Sequence, residues 1–89
     1  MVTLFVRHTV ADYAKWRTVY DAFGATRGPL GVMGAAVYQS ADDPNDITVT
    51  HDFATLDAAR AFVGSSELKT AMSQAGVVAA PTVWFAQKR

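Results

Sequence analysis

His8 and His51 are the two side chains in this sequence suited to proton chemistry near neutral pH, because an unperturbed imidazole titrates near 6.5. Cysteine is absent, which removes a thiolate nucleophile, a disulfide framework and any thiolate-ligated metal or iron–sulfur cluster. His8 falls at the end of a strand expected over residues 2–9, where Val2, Leu4, Val6 and His8 alternate onto one side. As a neutral base it could take a proton from a phenol or an activated methylene. A polar residue at the rim, bonded to backbone or water, fits the same position. His51 lies on a strand expected over 46–53 and shares its side with Ile47, Val49 and Phe53. A buried histidine bonded to threonine or backbone suits it as well as a base does. Antiparallel pairing of the two strands sets His51 opposite Leu4, four residues from His8 and about 13 Å away along the strands. That is too far for one metal ion or one shared proton relay within a chain. Asp52 points away from His51, since neighbours on a strand face opposite sides, so the pair is no catalytic dyad.

A helix must bring the remaining chemistry to these strands. Asp12 is placed to cap it, and it is expected from Tyr13 to Arg27. Tyr13, Trp16, Tyr20 and Phe23 recur at helical spacing with Val19 beside them, forming one aromatic stripe. The stripe is core in the first place. Four large rings on one short helix also leave irregular space, suited to a flat apolar or phenolic ligand. Tyr13, Trp16 and Tyr20 are therefore the candidate ligand-positioning residues. Gly28-Pro29 ends the helix, with Gly28 expected in the left-handed cap.

The other elements follow from their punctuation. A strand is expected over 34–40, a tight polar turn at Asp42-Asp43-Pro44-Asn45-Asp46, and a helix capped by Thr55 carrying Leu56, Ala59, Phe62 and Val63. Gly64-Ser65-Ser66 interrupts that helix. One of the two serines caps a further piece with Leu68, Ala71, Met72 and Ala75 inward, stopped by Gly76. Met72 is core or interface by default, and it is taken with the stripe as a candidate substrate-binding residue. A last strand runs from Thr82 to Gln87. No glycine-rich loop follows a strand in the dinucleotide pattern, and no strand–turn–helix elbow presents a nucleophilic serine.

The order strand, helix, strand, strand, helix, strand predicts an α+β, ferredoxin-like βαββαβ domain spanning residues 1–89. Its four-stranded antiparallel sheet has the order 4-1-3-2, with helices on one face. The second face would carry Phe5, Trp84 and Tyr38 beside Thr48 and Thr50, an apolar patch that monomers seldom expose. Stacking two copies sheet to sheet would cover it as a homodimer. Arg7 and Asp52 belong to that face, where they could pair across the interface. Eight basic and eight acidic residues balance the charge, so neither nucleic acid nor an anionic membrane is indicated. No run is long and apolar enough for a membrane span, and the first residues lack the pattern of a signal peptide; a cytoplasmic protein is expected.

Arg7-His8-Thr9-Val10-Ala11-Asp12-Tyr13-Ala14-Lys15-Trp16, the Asp42–Asp46 turn, and Glu67-Leu68-Lys69 with Met72 and Ala75-Gly76-Val77 before Pro81 carry a resemblance. Together they resemble the small dimeric α+β barrel proteins related to antibiotic biosynthesis monooxygenases, often labelled cyclases. The resemblance covers nearly the whole chain. It implies a dimeric barrel without cofactor or metal, and a small, flat aromatic or polyketide-like substrate that is deprotonated before oxygen is added or a ring is closed. His8 or His51 would be the base. The asparagine–tryptophan–tryptophan set of quinone-forming members has no clear counterpart, nor does the tyrosine/histidine arrangement of the plant polyketide cyclase. A non-catalytic ligand-binding or accessory homodimer is the competing expectation.

Overall fold

In the computed structural model, which describes residues 1–89, the sheet is held together by strict alternation on its two central strands. In β1 (Val2–Thr9), Val2, Leu4, Val6 and His8 are buried; in β3 (Asp46–Phe53), so are Ile47, Val49, His51 and Phe53. β1 and β3 pair antiparallel with Leu4 opposite His51 and His8 opposite Ile47, the register expected from the sequence. β2 (Gly34–Gln39) joins β3 and β4 (Thr82–Gln87) joins β1, giving the order β2-β3-β1-β4. This is the ferredoxin-like α+β arrangement, with each crossover helix divided in two.

The second division was expected and the first was not. α1 (Tyr13–Ala22) starts where Asp12 accepts from the amide of Ala14 at 2.9 Å. It stops before Phe23, and α2 (Gly24–Arg27) follows as a separate turn rather than the tail of one helix reaching Arg27. The amides of Thr26 and Arg27 both reach back to the Phe23 carbonyl, which tightens the chain. Arg27 then folds over the end of α1, donating from Nη1 to the carbonyl of Tyr20 at 2.8 Å. Gly28 is right-handed (φ −56°), so it is not the left-handed cap. Pro29 needs no amide partner, so the chain keeps turning until Gly31 (φ 94°), where the reversal occurs.

α3 (Leu56–Val63) is capped by Thr55, and α4 (Ser66–Gln74) by Ser65, whose hydroxyl accepts from Leu68 at 3.2 Å and donates to Phe62 O at 2.7 Å. The helices lie over the face of the sheet that holds Leu4, Val6, Ile47, Val49 and Phe53. Trp16, Ala59, Phe62 and Ala75 close the core from above. No helix is long and apolar enough to cross a membrane.

The other face carries no helix. There Phe5 and Trp84 stack at 5.2 Å, nearly parallel, and Trp84 and Tyr38 keep 41% and 59% of their surface exposed. The charged groups of its strands find partners inside the chain. Arg7 donates from Nε and Nη2 to the two carboxylate oxygens of Asp46 at 3.0 and 2.6 Å, and Thr3 Oγ1 donates to Asp52 at 2.7 Å. Arg7 and Asp52 are thus each bonded within the chain. Opposite Asp52 stands Gly34, where an added Cβ would come within 3.0 Å of the carboxylate.

Candidate functional site

Alternation delivers both histidines to the helix-covered face, and the helices leave a small cavity above them. Its floor is Val6 and His8 from β1 with Val49 and His51 from β3. α1 supplies Trp16, Val19 and Tyr20, continued by Phe23; α3 supplies Phe62; α4 closes the top with Leu68 and Met72. Eleven of the thirteen lining residues are hydrophobic, the two histidines being the exceptions, and the cavity volume is about 40 Å³. That is room for a water molecule or two and well below the ~300 Å³ of ordinary ligand pockets.

The aromatic stripe of α1 is divided by the structure. Trp16 stacks on Tyr20 at 4.9 Å and meets the His8 ring at 5.7 Å. Tyr13 stacks on Trp16 at 5.9 Å but lies outside the cavity wall, where it braces the indole. So His8, His51, Trp16, Tyr20 and Met72 come together around one space, and Tyr13 does not join them. Phe62 is the residue the sequence reading left as plain core. It lies 5.0 Å from the His51 ring and touches Phe23 and Phe53 as well. Arg27 is the other omission: its guanidinium sits 4.0 Å above the Tyr20 ring, a cation–π contact at the margin of the site. A basic residue at a helix end is an ordinary sequence feature, and only the fold-back over α1 gives it this place.

Both histidines are more than nine-tenths buried, at 6% and 4% exposure. Nδ1 and Nε2 of His8 and Nδ1 of His51 are enclosed and have no hydrogen-bond partner. Neither ring is therefore the satisfied structural histidine that the sequence also allowed. Each such atom costs about 1–3 kcal/mol relative to a partnered one. Burial drives both rings toward the neutral form. For His8 the burial effect is opposed by the attraction of Asp46. For His51 burial is reinforced by the Arg27 charge and only partly opposed by Asp52, which pushes its pKa down to about 4. Near neutral pH both are neutral imidazoles, able to accept one proton and donate another, and His8 is the more basic environment. The register keeps them four residues apart on adjacent strands, and no group of three histidine, cysteine or carboxylate side chains gathers anywhere in the fold.

No protein-family model matches the sequence, and no curated protein matches it either. Solved structures do. A candidate antibiotic biosynthesis monooxygenase from Bordetella bronchiseptica superposes with a TM-score of 0.87 at 18% identity, over 99% of this chain and 96% of that one. SnoaB, a cofactor-independent oxygenase from Streptomyces nogalater, gives 0.81 at 17% identity, over 99% and 92% of the two chains. A further candidate antibiotic biosynthesis monooxygenase, from Caulobacter crescentus, gives 0.79 at 17% identity, over 99% and 89%. At identities this low the likeness concerns architecture, and it is complete: from the first strand to the last, this chain has the fold of the antibiotic biosynthesis monooxygenase-like proteins.

Proposed function

We propose that the chain is a cofactor-independent enzyme of the antibiotic biosynthesis monooxygenase or cyclase type, which deprotonates a flat aromatic or polyketide-like substrate in its apolar cavity. The observation that carries this reading is the set of enclosed, unpartnered imidazole nitrogens on the two histidines that line an otherwise hydrophobic space. A core built only for stability would pair these atoms or replace the rings. His8 is the base in this reading, because Asp46 offsets part of the burial that weakens it. His51, held neutral beside Arg27, offers a hydrogen bond to the substrate's far end. Trp16 and Tyr20 stack on the substrate, and Met72 covers it. Excluding water strengthens each of these electrostatic contacts. The substrate's proton passes to the imidazole, and its electron pair stays on the substrate as phenolate or enolate for the oxygen-addition or ring-closing step.

The enzyme acts, in this reading, as a homodimer through the open face of the sheet. Phe5, Trp84 and Tyr38 supply the apolar patch, and the charged residues Arg7, Asp46 and Asp52 around them already have partners, so covering the face strands no charge.

The volume of the cavity favours a second reading, a ligand-binding or accessory homodimer without turnover. At about 40 Å³ the space must widen before any ring system enters. α4 is the wall able to move: none of its residues is fully buried, and Gly64 and Gly76 flank it. A thermal-shift panel of hydroxylated polycyclic aromatics on wild type, His8→Ala and His51→Ala separates the readings. The enzymatic reading expects a rise in Tm with wild type and a weaker one with at least one variant. Undiminished responses in both variants favour the accessory reading, and no response in any chain removes ligand binding in this cavity altogether.

A further inference from the structure

The floor of the histidine cavity is closed. β1 and β3 are the two central strands, each paired on both sides, so a ligand bound for His8 or His51 must pass through the helix layer. In that layer a second recess, of about 310 Å³, lies between α2 and α4. Two residues line both this recess and the inner cavity, Phe23 and Ala71. The side chains common to the two spaces are thus one aromatic ring and one methyl group.

The two spaces differ in chemistry. The inner one is apolar apart from its histidines and, at about 40 Å³, is smaller than any ring system. The outer one is polar, with Thr26 from α2 facing Ser66, Glu67, Thr70 and Gln74 from α4. Hydroxyls and an amide both donate and accept, so they suit neutral hydroxyl groups. Glu67 is the one charged residue of the lining, and its carboxylate already accepts from the Ser66 hydroxyl at 2.9 Å. No basic side chain lines the recess, so a carboxylate or phosphate placed there would meet Glu67 with no cation to offset it.

We propose that the recess between α2 and α4 is the outer subsite of the cavity, taking the uncharged, hydroxyl-bearing tail of an elongated ligand whose flat aromatic end lies against the histidines, with Phe23 as the residue that admits it. This rests on the reading of the cavity as the site of a flat aromatic substrate. Phe23 is half-buried at the break between α1 and α2, where its amide donates to Val19 and its carbonyl accepts from Thr26 and Arg27. Its ring meets Phe62 at 6.3 Å, an apolar contact with no hydrogen bond to break. Rotation of that ring to another rotamer joins the two spaces and leaves the backbone bonds in place. Joined, they reach the size of an ordinary ligand pocket, which the inner cavity alone does not.

Calorimetric titration of the full chain with a naphthalenediol, its mono-glucoside and its mono-carboxymethyl ether tests the subsite. In wild type the glucoside is expected to bind about tenfold tighter than the diol, the worth of two ordinary hydrogen bonds, and the carboxymethyl ether no tighter than the diol. Thr70→Trp, at an exposed position of α4, fills the recess and is expected to abolish the advantage of the glucoside over the diol. Phe23→Ala is expected to raise the association rate of the glucoside severalfold in stopped-flow measurements. Equal affinities for diol and glucoside in wild type, or an advantage that survives Thr70→Trp, overturns the subsite. A carboxymethyl ether that binds tighter than the glucoside overturns the uncharged tail, and an unchanged rate in Phe23→Ala overturns the role of that ring. Each of these failures leaves the diol bound and the proposed function standing, whereas a diol that binds no chain removes the cavity as a ligand site and the subsite with it.

Discussion

The two faces of the sheet are incomplete in opposite ways. On the helix-covered face the apolar side chains are packed, and the polar atoms are the ones left over, three histidine nitrogens enclosed without partners. On the open face the charged side chains are paired, Arg7 with Asp46 and Asp52 with Thr3, and the large rings of Phe5, Trp84 and Tyr38 are left over. The difference tells what each face lacks. The first lacks something that hydrogen-bonds inside an apolar space, and the second lacks an apolar cover. In the proposed function a small polar-bearing ligand would answer one, and a second copy of the chain the other.

Breaking the open face should have the largest effect. Phe5→Asp with Trp84→Asp places carboxylates where two copies would meet without partners for them. Association should weaken by about 1000-fold, roughly 4 kcal/mol, while the monomer keeps its fold because both sites face away from the core. Light scattering across a concentration series reads this directly. A wild-type chain that is already monomeric at micromolar concentration would remove the premise.

The covered face should reveal itself through pH. His51 titrates near 4 in the fold against 6.5 for the free side chain, so between those values the unfolded chain binds the additional proton. Stability is therefore complete above about 6.5 and is lost as pH falls toward 4, by about 3 kcal/mol from this group. His8, also lowered by burial, adds to the fall in the same direction. Urea denaturation of wild type and His51→Gln at pH 7 and pH 4.5 checks it: the variant should lose most of the difference. An equal slope in both would mean that His51 stays near its ordinary value and has a partner.

Much of this contrast could be read before any coordinates. The period-two alternation of Val2, Leu4, Val6 and His8 assigns His8 to the core face, and the Leu4–His51 register follows once β1 and β3 are antiparallel. Asp12 and Thr55 cap the helices they precede, because each sits just before an apolar periodic run. The break after Ala22 was hidden, since Phe23 continues the aromatic stripe and Gly28 looks like the natural stop; the left-handed turn falls to Gly31 instead. The cavity was only half legible. Spacing puts Trp16 and Tyr20 on one stripe with Tyr13, but which rings border empty space depends on volumes contributed by α3 and α4 as well. Phe62 and the fold-back of Arg27 depend on such long-range placement, and no local pattern marks them.

A smaller change sharpens the reading of the covered face as a site. His8→Leu removes two unpartnered nitrogens and keeps an apolar side chain of similar bulk against Trp16. At pH 7 it should raise stability by about 1–2 kcal/mol while abolishing the response to phenolic ligands. Gain of stability with loss of binding is the pattern of a group retained for chemistry. A destabilised His8→Leu would show instead that ordered water already satisfies the ring, and the contrast between the two faces would shrink accordingly.

The smallest expected effect concerns how a ligand enters. Ser65 holds the start of α4, accepting from Leu68 and donating to Phe62, so it ties the roof of the cavity to the helix that packs against His51. Ser65→Ala should cost about 1 kcal/mol, the usual loss for a helix cap. Because α4 buries no residue fully, that loss should appear as faster amide exchange within 66–74 rather than as global unfolding. If α4 is the wall that yields, the same variant should bind a phenolic ligand with a higher association rate and nearly unchanged affinity in stopped-flow measurements. An unchanged association rate alongside faster exchange would place the entrance elsewhere, and the break between α1 and α2, where Arg27 covers Tyr20, would then be the opening to test.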